Sequence, residues 1–433
     1  MSHYKPYPAY KDSGVEWLGK VPEHWELARF DAKSTTHRDS IDADRLTGLR
    51  VLHYSIPAVQ ELGHGQEEDG SEIDSNKLII NQKQLLVSKL NPHKQTLVVA
   101  DKSESFLTVA STEFVPLIPV AADLAYITYV WSSAYCQHYL LARCESSTRS
   151  HQRVAPSDIT RMPWAWPALD EQKAVVSVLN RETARIDALI EKKTRFIELL
   201  REKRQALITH AVTKGLDPSV KMKTSGVEWL GEVPEHWDVL SFQRCVFIAE
   251  GQVDPEKSPY REMVLLAPNH IESGSGLLLY TETAEEQNAE SGKYLCQKGD
   301  VVYSKIRPAL RKVCIAPDLS LCSADMYPMR GHSGMSNQFL FWFLLSEPFS
   351  AFAVLEADRV AMPKINRESL NSVQLPRPPI NEQMEIVAWV AQSTARLDNL
   401  RAKTERSIEL LKERRSALIT AAVTGQIDLR EAV

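Results

Sequence analysis

The feature that most constrains this chain is that it repeats itself. Residues 13–26 read SGVEWLGKVPEHWE and residues 225–238 read SGVEWLGEVPEHWD, twelve identities in fourteen positions at an offset of 212. A second pair follows at an offset of 211, where DEQKAVVSVLNRETARIDALIEKKTRFIELLREKRQALITHAVT (170–213) matches NEQMEIVAWVAQSTARLDNLRAKTERSIELLKERRSALITAAVT (381–424) at about half of its positions. The period is far longer than the roughly 20–50 residues of a solenoid repeat. One unit, a globular segment followed by a helical one, is therefore written twice. Between these anchors the halves diverge, with short echoes such as LLVSKLNP (85–92) against VVYSKIRP (301–308) and ASTEFVPL (110–117) against CSADMYPM (322–329).

The shared helical segments carry a seven-residue period. In the first, Leu179, Ile186, Leu200 and Leu207 stand seven or fourteen apart, and Ile190, Ile197, Arg204 and Ala211 follow four behind members of that series. In the second, Val390, Leu397, Leu411 and Leu418 repeat the series, with Ile408, Arg415 and Ala422 behind them. This is the apolar seam of a coiled coil. Neither stretch contains proline or glycine. Each opens after a proline-bearing segment and closes near a glycine (Gly215, Gly425), with Asp170 and Asn381 as expected N-caps. A helix of this length runs about 66 Å and cannot leave its stripe unpartnered. Its own duplicate is the nearest partner, and an approximate two-fold relation between the halves predicts antiparallel pairing.

The globular segments mix strand-like runs (KLIIN, QLLVSKL, TLVVA; EMVLLA, DVVYSKI, KVCIA) with amphipathic stretches (LAYITYVWSSAYCQHYLLAR, NQFLFWFLLSEPFSAFAVL). They predict α+β heads, strand-rich with one or two covering helices. The expected organisation is a first head over 1–169, a long helix over 170–215, a second head over 216–380 and a second long helix over 381–433.

No phosphate loop, GxGxxG turn, HExxH pair or Cys/His metal spacing is present. Asn91-Pro92-His93-Lys94 is similar to the Asn-Pro-Pro-aromatic signature of amino-methyltransferases but lacks the second proline and the aromatic, and reads as a turn. His24 and His236 read as packing within a Trp-rich anchor. Glu67-Glu68 and Glu285-Glu286 read as solvated loop carboxylates. The six scattered cysteines form no CxxC pair, as expected for buried, reduced thiols of a cytoplasmic protein. No apolar run approaches eighteen residues and the N-terminus has no apolar leader, so neither membrane insertion nor export is expected.

The anchors and helices in duplicate resemble those of the specificity (S) subunit of type I restriction–modification systems, over essentially the whole chain and in the family's order. The resemblance implies that the heads are two target-recognition domains, each reading one half of a bipartite DNA site. It implies an antiparallel coiled coil of the long helices that sets the spacing and docks two methyltransferase subunits, with two restriction/motor subunits completing the complex. The S subunit itself would be non-catalytic and hold no cofactor, with S-adenosylmethionine, ATP and Mg on the partner subunits. The seam residues would then be Leu179, Ile186, Ile190, Ile197, Leu200, Leu207, Val390, Leu397, Ile408, Leu411 and Leu418.

Charge sharpens the question of where DNA would sit. The chain carries 51 Lys+Arg against 56 Asp+Glu, a net charge of −5, so contact with a polyanion needs local basic patches. One candidate in each head is the echoed SK segment, Lys89 with Lys94 and Lys305 with Arg307, Arg311 and Lys312. A second lies just before each long helix, Arg149 and Arg153 in the first half and Arg359 and Lys364 in the second. The helical Arg195, Arg201, Lys203 and Arg204 read as solvated or partner-facing charges. Two other classes stay open on sequence alone: a self-contained restriction enzyme, and a coiled-coil adaptor that binds only proteins.

Overall fold

The computed structural model describes residues 4–146, 152–357 and 363–430. Two helices dominate it, Leu169–Lys214 and Ile380–Val423, of 46 and 44 residues. Both end on a left-handed glycine, Gly215 at φ +76° and Gly425 at φ +72°. Glycine is needed there twice over: a Cβ on Gly425 would come within 2.3 Å of Pro22, and one on Gly215 within 3.3 Å of Trp237. The expected N-caps Asp170 and Asn381 instead stand one residue inside the helices. The openings are closed by the next glutamines. Gln172 accepts from the Asp123 amide at 2.8 Å and donates to the Pro167 carbonyl at 2.9 Å. Gln383 accepts from the Ser336 amide at 2.9 Å and donates to the Pro378 carbonyl at 2.8 Å.

The chain forms two compact units, Met1–Lys193 with Arg406–Val433, and Thr194–Glu405; both long helices contribute to each. In the first unit Val175, Val178 and Leu179 share a core with Leu418, Ile419, Ala421, Ala422 and Val423, while Asp187, further along, meets Arg415 at 2.9 Å. Residue numbers rise on one helix as they fall on the other, so the segments are antiparallel. The second unit repeats the pattern, with Arg204 on Asp398 at 3.2 Å and Ile208, Ala211 and Val212 in one core with Ile386 and Val390. Of the expected seam, Leu179, Ile186, Ile197, Leu200, Val390 and Leu418 are buried; Ile190, Leu207, Leu397, Ile408 and Leu411 are half-buried. The hydrophobic period overlooks Thr183 and Thr394. They are buried at matching places with their hydroxyls donating to the carbonyls of Leu179 and Val390, four residues back.

Each head is a mixed α+β body on a common plan. In the first, strands 97–100, 84–88, 114–119 and 34–35 form one sheet in that order, and 40–41, 77–79, 107–111, 50–54 and 66–69 form another. In the second head the corresponding sheets run 246–248, 326–331, 301–304, 313–315 and 252–253, 293–296, 320–322, 265–266. Each head has one parallel pairing in its second sheet, Ala110 opposite Tyr54 and Cys322 opposite Leu266. Of the one or two covering helices expected, each head has two. Leu124–Trp131 gives way to Ala134–Leu141 at Ser133, whose hydroxyl caps the new helix; Asn337–Leu344 gives way to Glu347–Ala357 with a 64° bend. These helices and the PEHW anchors enclose aromatic cores, with Trp25, Phe30, Trp131, Trp164 and Trp166 in one head and Trp237, Phe242, Phe339, Phe343 and Phe349 in the other. Among the described residues no single helix is long and apolar enough to cross a membrane.

Candidate nucleic-acid interface

The echoed SK segments fold alike. After strands Gln84–Ser88 and Val301–Ser304 the chain turns through short 3-10 helices, Pro92–Lys94 and Pro308–Leu310. Proline at the first helical position presets the turn's φ. Both flanks are left-handed non-glycine residues, Asn91 (φ 50°) and Gln95 (φ 47°) in the first head and Arg307 and Arg311 (both φ 47°) in the second. Such backbone is rare outside glycine and clusters where local geometry serves function. Matching hydrogen bonds hold the two turns: the Ser88 hydroxyl donates to the Leu90 carbonyl and the Ser304 hydroxyl to that of Ile306, each at 3.1 Å.

The structure brings the two candidate patches of each head together. The Val154 amide donates to the Lys89 carbonyl at 3.0 Å and the Asn91 amide to that of Gln152 at 2.8 Å; Ile365 donates to Lys305 at 2.9 Å and Arg307 to Pro363 at 3.1 Å. Leu90 thus bridges Arg153, and Ile306 bridges Lys364. Segments about 60 residues apart become neighbours, which no spacing in the sequence reveals.

Individual cations differ in how they are held. Lys89 is half-buried and borders a cleft of about 670 Å³ in the first head. Lys94 is exposed and reaches Gln60 Oε1 at 3.1 Å. Arg153 pairs with Glu113 at 3.0 Å. In the second head Arg307 and Lys312 line a smaller cleft of about 330 Å³. Lys312 donates to the Pro268 carbonyl at 2.6 Å. Arg311 is engaged by Ser350 Oγ at 2.8 Å and by Glu347. The Lys305 ammonium lies over the Tyr327 ring, 5.2 Å from its centroid, and Lys364 is exposed. Arg149 and Arg359 lie outside the described residues.

The side chains singled out elsewhere also find partners. His24 Nε2 meets Glu171 Oε2 at 2.8 Å and His236 Nε2 meets Glu382 Oε2 at the same distance, so each PEHW anchor is tied to the EQ pair that opens a long helix. Glu67 and Glu68 lie on strand Gln66–Asp69 rather than in a loop, and Glu68 Oε1 meets Nδ1 of the buried His53. Arg204 is not a solvated charge. It donates to Asp398 and to the carbonyls of Gly274 at 2.9 Å and Ser275 at 3.1 Å. Burial pushes the thiols of Cys136 and Cys314 up to about 12 and that of Cys245 to about 11, leaving them protonated and unreactive at neutral pH.

No family model matches the chain. Over 289 residues, 63% of the chain, it is 29% identical to the type I restriction enzyme EcoDI specificity subunit of Escherichia coli, and it spans 64% of that relative's length. Over 422 residues, 95% of each chain, it is 22% identical to the type I restriction enzyme MjaVIII specificity subunit of Methanocaldococcus jannaschii. The fold matches a chain from a solved structure of the type I R-M system, with a TM-score of 0.73 at 16% identity over 94% of this chain and 99% of that one. The chain is thus similar in sequence to type I specificity subunits and shares its fold with a chain of that system.

In this chain the duplicated residues and the divergent ones fall in different places. The anchor histidines, the EQ pairs and the Asp187–Arg415 and Asp398–Arg204 pairs are shared, and they join head to helix or helix to helix. The residues that differ, Asn91-Pro92-His93-Lys94-Gln95 against Arg307-Pro308-Ala309-Leu310-Arg311, stand on the superposable turn of each head.

Proposed function

We propose that this chain is the non-catalytic sequence-reading subunit of a type I restriction–modification complex. Each head reads one half of a bipartite DNA target. The paired long helices set the spacer between half-sites and dock two methyltransferase subunits, which carry S-adenosylmethionine; two restriction/motor subunits bring ATP and Mg. The observation that carries this reading is the left-handed proline turn, built on the same hydrogen-bonded frame in both heads but bearing different side chains. A device reading two unlike half-sites needs a common mount and dissimilar contacts, because phosphate contacts position while base-edge contacts specify. Helix length supports the ruler. At 1.5 Å per residue a 46-residue helix is about 69 Å long, the span of roughly 20 base pairs at 3.4 Å each.

Mapping modified adenines in a host carrying the system, with and without this gene, tests the reading. A two-part asymmetric motif should depend on the gene. Exchanging residues 27–167 for the head of a relative should change one half of that motif and leave the other and the spacer intact. Loss of both halves, or no change in either, sinks the modular assignment.

A further inference from the structure

The cleft beside Lys89 in the first head lies where, in the second, an arginine side chain is packed. The two clefts are matched by register: Thr35 faces Ile118 on the first head's sheet as Phe247 faces Arg330 on the second's. The residues that close each cleft are matched by the bridges, since Pro156 and Arg367 both follow the bridging residue by three and both open a short helix. In the second head Arg367 fills the space. Its guanidinium donates to the carbonyls of Ile248 at 3.1 Å and Ala249 at 2.5 Å and lies over the Tyr327 ring at 4.9 Å, with Glu250 3.7 Å away. In the first head proline stands at that place and the space is open, about 670 Å³.

What lines the opening is cationic and rich in hydroxyls. Arg38, Lys89 and Arg161 all border it, and among the described residues none of the three has a carboxylate within ion-pair distance. Arg38 occupies the position of Glu250 in the second head, so the charge at that wall is reversed. Thr36, Ser157 and Thr160 add donors. The one carboxylate on the wall, Asp31, is occupied by Arg29 at 2.5 and 3.0 Å. Arg161 also acts on the charge of Asp31, but three cations against one carboxylate in one concavity of a chain with net charge −5 create a local field for an anion, and the hydroxyl donors suit a tetrahedral oxyanion.

We infer that the first head holds a DNA backbone phosphodiester in the Arg38–Lys89–Arg161 cleft and that the second head, closed by Arg367, has no equivalent grip. This deepens the DNA-reading assignment and rests on it. Backbone capture of this kind fixes register without reading sequence, so the first head supplies more of the salt-sensitive affinity than the second.

The test is the salt dependence of duplex binding by the full chain, measured by fluorescence anisotropy on a random-sequence duplex and on one containing the modified motif. Charge reversal at two exposed positions, Arg38→Glu with Arg161→Glu, should flatten the slope of log K against log salt by about one per phosphate lost, equally on both duplexes. Arg367→Ala, which removes a group bonded to its own head's carbonyls, should leave the slope as in the wild type. If the double reversal does not fold, Arg38→Ala and Arg161→Ala singly carry the same test with a smaller change. An unchanged slope in a variant that still binds overturns the cleft. So does an unchanged slope accompanied by thermal protection from millimolar inorganic phosphate, which would assign the cleft to a free anion. A wild-type chain that binds no duplex at low salt instead sinks the DNA-reading assignment itself.

Discussion

The two anchors that tie head to helix look identical in sequence and are not equivalent in strength. Glu171 accepts from the Tyr7 hydroxyl at 2.8 Å and from the Trp25 indole at 3.1 Å in addition to meeting His24, and its side chain is 8% exposed. Among the described residues Glu382 meets only His236 and the buried Trp237 indole nitrogen has no partner; the Glu382 side chain is 26% exposed. Part of the difference comes from what precedes each repeat: Tyr7 belongs to the segment that lies against the end of the second long helix, where the Asp428 amide donates to the Lys5 carbonyl at 2.8 Å. Both anchors keep the histidine bond; the first adds Tyr7 from the segment ahead of the repeat and the indole of Trp25 from within it. A repeated motif therefore fixes a contact without fixing its energy.

Alanine at the two glutamates gives the widest separation. Glu171→Ala leaves a buried hydroxyl and a buried indole N–H unpaired, each at a cost of about 1–3 kcal/mol, so a loss of roughly 3–4 kcal/mol is expected in urea unfolding. Glu382→Ala removes one partly solvated pair, worth about 1 kcal/mol or less. Equal losses would mean that the Tyr7 and Trp25 bonds contribute nothing beyond the shared histidine contact.

The helix-to-helix arginines should separate less. Arg204 is 11% exposed and holds Asp398 together with two carbonyls of the 272–278 loop, whereas Arg415 is 38% exposed and, among the described residues, holds only Asp187. Arg204→Ala is expected to cost about 2–3 kcal/mol and Arg415→Ala at most about 0.5 kcal/mol. The sharper readout is hydrogen exchange. Amides of the Gly274–Ser275 turn should lose protection in Arg204→Ala, and retention of that protection would show that the loop docks without the arginine.

These contrasts mark what a sequence can reveal here. The helices, their antiparallel partnership and the strand-rich heads were legible because repetition and a seven-residue period are patterns along the chain. The seam's threonines were not, since Thr183 and Thr394 gain their place by bonding a carbonyl one turn back rather than by being apolar. Arg204 reads as a surface charge because its partners, Asp398 and the Gly274–Ser275 carbonyls, lie 194 and about 70 residues away. The basic candidates were found as two separate patches per head and are one, because the joining bonds run between backbone groups, Lys89 with Val154 and Lys305 with Ile365. Arg38 and Arg161 carry no signal at all in the sequence; only the cleft brings them beside Lys89.

The smallest expected effect concerns acid. Among the described residues each head buries one histidine whose pKa burial pushes below the ordinary value, His53 against the opposing pull of Glu68 and His270 against that of Glu282. A histidine depressed in the folded state stays neutral there while its unfolded counterpart, with a pKa near 6.5, takes up a proton. Stability is therefore full above about pH 6.5 and falls as the pH drops through that value toward the folded pKa, by at most about 1.4 kcal/mol per pH unit for each group. His270 is the sharper case, fully buried with its ring tilted at 49° against that of Tyr280, centroids 4.6 Å apart, whereas His53 keeps a closer carboxylate that supports its charged form. Urea unfolding between pH 7 and pH 5 should show a shallower loss in His270→Gln than in the wild type, and a smaller flattening in His53→Gln. If His53→Gln flattens the profile more, Glu68 does not offset burial in the first head, and the two histidines differ in the opposite sense from their surroundings.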